Sequence, residues 1–123
     1  PFSFFFERTG AIRVDLEASS NPKAYEEAKA ALLDGYLVCI EPEAARNYTD
    51  QLLLPFKSGA VRLAKETGTK ILPYAIKGNY VFHSKDLRIV FGEMIEAKYE
   101  SIEEANQILY HAIKGLLLED QDD

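Results

Sequence analysis

Four charged side chains stand where charge and backbone together can hold an anion: Arg8, Glu43, Arg46 and Lys57. Glu43 follows Pro42, directly after the apolar run Tyr36-Leu37-Val38-Cys39-Ile40. A carboxylate is thereby set at the end of a buried strand, the edge where open α/β sheets bind ligands. Arg46, three residues on, can pair with Glu43 and still offer its planar fork to a phosphate. Lys57-Ser58-Gly59 opens a helical pattern, and the unpaired N–H groups and dipole of a helix start favour an anion. Arg8 follows the aromatic stretch Phe2-Ser3-Phe4-Phe5-Phe6 and leaves that expected strand at its C-terminal end. If the strands lie parallel, all four residues converge on one rim. Their chemistry would be recognition of a phosphate. Taken alone, Glu43 and Arg46 also read as a surface ion pair of about 0–1 kcal/mol, and Lys57 as a surface lysine at a helix start.

Groups that could activate a nucleophile are scarcer. The chain has two histidines, His83 and His111, and one cysteine. His83 falls in a polar loop, and His111 falls beside the apolar face of a helical pattern. Cys39 lies inside an apolar run, so it reads as a buried, inert thiol. A single cysteine excludes an internal disulfide and any multi-cysteine zinc site, and a reducing, cytoplasmic setting is the natural reading. Gly10, Gly35, Gly59 and Gly68 are isolated, so neither standard Gly-rich phosphate loop is present. No cofactor is called for.

The elements that must position these groups alternate. After the aromatic strand, Ala11-Ile12-Arg13-Val14-Asp15-Leu16 has the period-2 pattern of a half-exposed strand. Ser20 or Asn21 caps a helix with Pro22 in its first turn, running to Asp34 and stopping at Gly35. Its stripe is Tyr25, Ala28, Ala31 and Leu32. Tyr36 to Ile40 reads as a strand buried on both faces, followed by an irregular stretch to Pro55. A second helix from about Lys57 to Thr67 ends at Gly68. Ile71 to Ile76 is a strand whose Pro73 suggests an edge or an end, and Leu87 to Phe91 is another. Ile102, Ala105, Ile108, Leu109, Ala112, Ile113 and Leu116 mark one face of a long helix. Such a rhythm predicts an α/β fold with a central, largely parallel or mixed sheet flanked by helices. The domain is expected to span 1–118, with 119–123 an acidic tail.

Composition narrows the partners. With 123 residues the chain suffices for one core, and 47% hydrophobic and 28% charged residues are those of a globular protein. A net charge of −6 argues against a nucleic-acid binder, whose phosphates that surface would repel. It argues equally against a polybasic membrane anchor. No segment approaches the roughly 20 apolar residues needed to cross a bilayer.

At the charged block the chain resembles the lysophosphatidate and glycerol-phosphate acyltransferase family. That family carries a Phe-Pro-Glu-Gly-x-Arg-Ser block, a Pro-Phe-Lys-x-Gly-x-x-x-x-Ala helix start and a Val/Ile-Pro-x-x-Ile-x-Gly strand. Pro42, Glu43 and Arg46 match the first, and Pro55, Phe56, Lys57, Gly59 and Ala64 the second. Ile71, Pro73, Ile76 and Gly78 match the third, and Phe5-Phe6-Glu7-Arg8 resembles an upstream Phe-Ile-x-Arg block. The matches cover roughly residues 4 to 78, and their combination is far more specific than any one. Glu41, Ala44 and Asn47 depart from the family's Phe, Gly and Ser, and Phe2 stands where a Gly opens the upstream block.

The resemblance implies an O-acyltransferase of phospholipid biosynthesis, partial in its fold. It would move a fatty acyl group from acyl-CoA or acyl-carrier protein to the hydroxyl of lysophosphatidate or glycerol 3-phosphate. Arg8 and Arg46 would neutralise the acceptor phosphate, and Glu43 would orient Arg46 or bond the glycerol. The family's His-x-x-x-x-Asp block, whose histidine is the general base, has no counterpart: His83 and Asp86 have the wrong spacing and follow the last matching block. Together with a start at Pro1 rather than Met, this leads one to expect a fragment, inactive alone, or a degenerate paralogue. A non-catalytic module that binds a phosphorylated lipid or carrier protein is the alternative. The family often works at the membrane, so peripheral contact is expected, but no insertion element is legible in this segment.

Overall fold

The structure, a computed structural model, describes residues 8–15 and 18–119. The expected strand Phe2 to Phe6 and all of the acidic tail beyond Glu119 lie outside those residues. Two compact units divide the chain, Pro1–Ile40 and Glu41–Asp123.

The first unit holds helix α1, Pro22–Leu33. Pro22 takes the opening position, where no intrahelical N–H bond is lost. Asn21 precedes it but does not cap: its Oδ1 accepts the Asp15 N–H at 2.7 Å and its Nδ2 donates to the Asp15 carbonyl at 3.1 Å. The expected stripe holds, with Ala28 buried and Tyr25, Ala31 and Leu32 half-buried. At the other end Gly35 turns left-handed, with φ +91°. Its N–H reaches the Leu32 carbonyl at 3.1 Å, and the Tyr36 N–H reaches Ala31 at 2.9 Å. That pair of bonds satisfies two helix-end carbonyls.

Two strand expectations in this unit are corrected. Residues 11–15 and 36–40 carry no regular secondary structure. Leu37 is fully exposed, and Cys39 is exposed rather than buried. A run buried on both faces needs neighbouring strands to pair with, and none pairs with Tyr36 to Ile40 among the described residues.

The second unit contains helix α2 (Gly59–Thr67), strands β1 (Tyr74–Lys77) and β2 (Arg88–Phe91), and helix α3 (Ile102–Leu118). Ser101 starts α3 from extended backbone, its Oγ accepting the Glu104 N–H at 3.1 Å. Glu103 and Glu104 place negative charge at the positive end of the dipole. Val61 of α2 packs with Ala105 and Leu109 of α3 in the core, closed by Phe56, Ile71, Ile95, Tyr99 and Ile113. Ile71 and Ile95 exchange backbone bonds at 3.0 and 2.8 Å, which extends the β1–β2 pairing as an isolated bridge.

β1 and β2 are antiparallel, with Tyr74 opposite Phe91 and Ile76 opposite Ile89. The parallel pairing expected from the strand and helix rhythm is not among the described residues. The reason lies in the connection: parallel neighbours need a crossover of a dozen or more residues, and no helix stands between these two strands. Pro73, buried, precedes β1 and accepts the Gly92 N–H at 2.9 Å, the end position its missing donor allows.

Candidate phosphate site

In the second unit, Pro42 and Glu43 form the centre of a tight turn, closed by the Ala44 N–H on the Glu41 carbonyl at 3.1 Å. Ala44 leaves that turn with φ +54°, in the left-handed region. A side chain with a Cβ is strained there, whereas glycine is not. The family's glycine at this position is thus explained by the turn, and Ala44 retains the geometry at some cost.

Two bonds then fasten the turn to the next block. The Glu43 Oε2 accepts the Leu54 N–H at 2.9 Å, and the Lys57 N–H donates to the Pro42 carbonyl at 2.8 Å. Between them Asn47 organises the loop, its Oδ1 taking the Thr49 N–H (2.9 Å) and hydroxyl (2.6 Å) while its Nδ2 reaches the Gln51 carbonyl (2.7 Å). Asn47, at the family's serine position, is therefore a loop residue.

The second block is held from below by α3. Phe56 stacks edge-on against Tyr110, with ring centroids 5.1 Å apart. Asn106 Nδ2 donates to the Phe56 carbonyl at 2.9 Å, while its Oδ1 is buried without a partner. Leu53, Leu54, Pro55, Asn106 and Tyr110 line a cleft of about 450 Å³ along this seam. Asn106 was missed by sequence reasoning. An amide one position from the apolar stripe of α3 was the signal.

Lys57 and Ser58 lead into α2, whose first turn has no side-chain cap. The Ser58 Oγ instead accepts Arg62 Nε at 2.9 Å, so the helix-start N–H groups keep their capacity for an outside acceptor. The Lys57 side chain is exposed. Arg46 is exposed too, its guanidinium lying 5.6 Å from the centre of the Tyr48 ring. No ion pair joins it to Glu43 among the described residues. Arg8, exposed, belongs to the first unit.

Glu43 pins Leu54, Phe56 packs on Tyr110, Ala64 is buried in the core and Ile71 pairs with Ile95. Arg46 and Lys57 remain, two cations on segments tied together by backbone. His83 and His111 are both exposed, one on the ring of Phe82 and the other beside Tyr110. Among the described residues no cluster of three or more His, Cys, Asp or Glu side chains is placed to hold a metal, and no helix is long and apolar enough to cross a membrane.

The sequence profile of the acyltransferase family matches residues 1–77, more than half of the chain. Neither a curated protein nor a solved structure matches it.

Proposed function

The chain belongs to the acyltransferase family, and from that premise we propose that it supplies the acceptor-phosphate site of a glycerolipid O-acyltransferase. The acceptor is lysophosphatidate or glycerol 3-phosphate, and the donor is acyl-CoA or acyl-carrier protein. One observation carries the reading. The Lys57 N–H bond to the Pro42 carbonyl, at 2.8 Å, joins the Arg46 turn to the uncapped start of α2.

In this reading the Arg46 fork and the Lys57 ammonium neutralise the phosphate, while the first N–H groups of α2 donate hydrogen bonds to its remaining oxygens. Glu43 acts through position, because one carboxylate oxygen holds the Leu54 N–H and the other is left for a glycerol hydroxyl. Arg8 is assigned to phosphate recognition on its sequence block alone. Acyl transfer requires the acceptor hydroxyl to lose its proton as it attacks the thioester carbonyl, with the thiolate leaving. Neither histidine of this chain is placed for that step, so the base belongs to a His-x-x-x-x-Asp block outside these 123 residues.

A titration of the chain with glycerol 3-phosphate, followed by amide chemical shifts, tests the site. Saturable shifts at Arg46 and Ser58–Val61 are expected. Arg46→Ala or Lys57→Ala should weaken binding by about five- to tenfold each, as loss of a charge-assisted contact does. Unsaturable shifts, or an Arg46→Ala chain that binds as before, would overturn the reading. The lack of a usable histidine favours a second reading, a module that binds the phosphorylated lipid without chemistry. Thiol release from acyl-CoA separates the two once the family's His-x-x-x-x-Asp block is supplied on the same polypeptide: turnover supports the enzyme, and binding without turnover supports the module.

A further inference from the structure

One peptide unit links the Arg46 turn to the start of α2, and it is held at both ends. Between Phe56 and Lys57 the N–H donates to the Pro42 carbonyl at 2.8 Å, and the carbonyl oxygen accepts Asn106 Nδ2 at 2.9 Å. In a trans peptide those two groups point in opposite directions. The unit is therefore clamped between the Glu43 turn on one side and α3 on the other. A peptide plane fixed at both its donor and its acceptor resists swinging about the flanking dihedrals. Its orientation is passed on to Ser58 and Gly59, which open α2.

Packing sets the α3 side of this clamp. Asn106 follows Ala105 and precedes Leu109, both buried with Val61 of α2 in the core. The turn of α3 that bears the amide is thus fixed against the helix that the amide helps to aim. Tyr110 stands four residues beyond Asn106, and residues so spaced share a helix face. Its ring meets Phe56 edge-on, with centroids 5.1 Å apart. Asn106 and Tyr110 thereby grip one residue, the first at its carbonyl and the second at its ring.

Stability does not account for the amide. Asn106 Oδ1 is buried and has no partner among the described residues, and an unmet buried acceptor costs at least what one hydrogen bond returns. A leucine of similar size would avoid that cost and is the better helix former. What the amide supplies and leucine cannot is a donor directed at the Phe56 carbonyl. Asn106 also lies beyond residues 1–77, so it belongs to none of the blocks that the family profile matches.

We infer that Asn106 is a positioning residue of the phosphate site. It touches no ligand itself. Through the Phe56–Lys57 peptide it aims the first N–H groups of α2 and the root of the Lys57 side chain. The inference rests on the phosphate-site reading and gives α3 a part in it.

Asn106→Leu, compared with the parent chain, tests it. Affinity for glycerol 3-phosphate, followed by amide chemical shifts, should fall about fivefold, the effect of losing one orienting hydrogen bond. Hydrogen exchange at the Lys57 amide should quicken while the Leu109 and Ile113 amides of α3 keep their rates. The denaturation midpoint should stay level or rise, because the unmet acceptor is gone. A merely structural residue would lower the midpoint and the affinity together. Should Asn106→Leu fail to fold, Asn106→Ala removes the same donor without added bulk, and the binding and exchange readouts carry over. Equal affinity in parent and variant, or unchanged exchange at Lys57, would overturn the assignment and leave the phosphate reading in place. So would weaker binding that comes only with a lowered midpoint in Asn106→Leu. A parent chain that does not bind glycerol 3-phosphate removes the phosphate reading, and this inference with it.

Discussion

Two loops of the second unit are each organised around one carboxylate, and they spend it differently. Glu43 reaches across eleven residues to a single N–H, that of Leu54. One oxygen is used and one is left over, on a segment that also bears Arg46. Asp86 has both oxygens occupied, by Asn79 and Ser84, within its own ten-residue loop. The first arrangement leaves one carboxylate oxygen able to accept a hydroxyl or N–H from outside the loop. The second uses both carboxylate oxygens within its own loop, and Tyr80, Val81 and Phe82 stand exposed beside it. A carboxylate in a loop therefore says little by itself. What it has left after the loop is closed decides which surface results.

The largest effect should come from the contact that closes the second loop without any carboxylate. Gly78→Ala puts a Cβ 2.7 Å from the Asp86 carbonyl carbon at a φ that L side chains avoid. It should destabilise the chain by about 2–4 kcal/mol, clash and backbone strain together. Chemical denaturation measures this, and a change under half a kcal/mol would mean that the two sides of the loop do not touch.

Next comes the pin of the first loop. Glu43→Ala leaves the part-buried Leu54 N–H without its acceptor and should lose about 1–2 kcal/mol. Glu43→Gln keeps a neutral acceptor and should lose less. Equal losses would show that the bond to Leu54 is not what Glu43 contributes. Smaller and opposite in sign is Ala44→Gly. At φ +54° the exchange removes left-handed strain of about 1–2 kcal/mol but adds about 0.5–1 kcal/mol of chain entropy, for a net gain of up to about 1.5 kcal/mol. A lowered denaturation midpoint in Ala44→Gly would remove the link between the family's glycine and this turn.

The same contrast explains what was legible in the sequence. Helices α1 and α2 were readable because period agrees with the boundary signals, Pro22 and Gly35 for the one and Gly68 for the other, and α3 was readable from its long apolar period. The Glu43 loop was readable because its blocks have fixed spacing. Tyr36 to Ile40 was misread as a buried strand since hydrophobicity states a preference for burial and cannot supply a partner. The pairing of β1 with β2 depended on the absence of a helix between them, a cue the alternating rhythm concealed. The Tyr80-Val81-Phe82 tip was missed because three apolar residues carry no periodicity. Only the structure, in which Asn79 and Ser84 bond Asp86 and the three apolar side chains are exposed, shows that these residues face out.

The smallest effect is also the most local. Asp86 has its carboxyl held below the usual carboxylate range, first by the Ser84 hydroxyl and then by the Asn79 N–H, with Arg88 adding a little. A group depressed in the folded state binds fewer protons there than when unfolded. Its contribution is therefore complete above the unfolded value of about 3.9. It disappears as pH falls through the lower folded value. The tip should accordingly keep its shape from neutral pH down to mildly acidic conditions, then open below the ordinary aspartate range while α3 remains folded. Following the Asp86 carboxyl carbon and the Asn79 amide through an acid titration should give one shared, low midpoint. Ser84→Ala should move that midpoint up toward the ordinary value, because the hydroxyl is the main cause of the depression. A midpoint that stays put in Ser84→Ala would mean that the hydroxyl does not donate to Asp86. The carboxylate would then close the loop through Asn79 alone, beside the Gly78 contact.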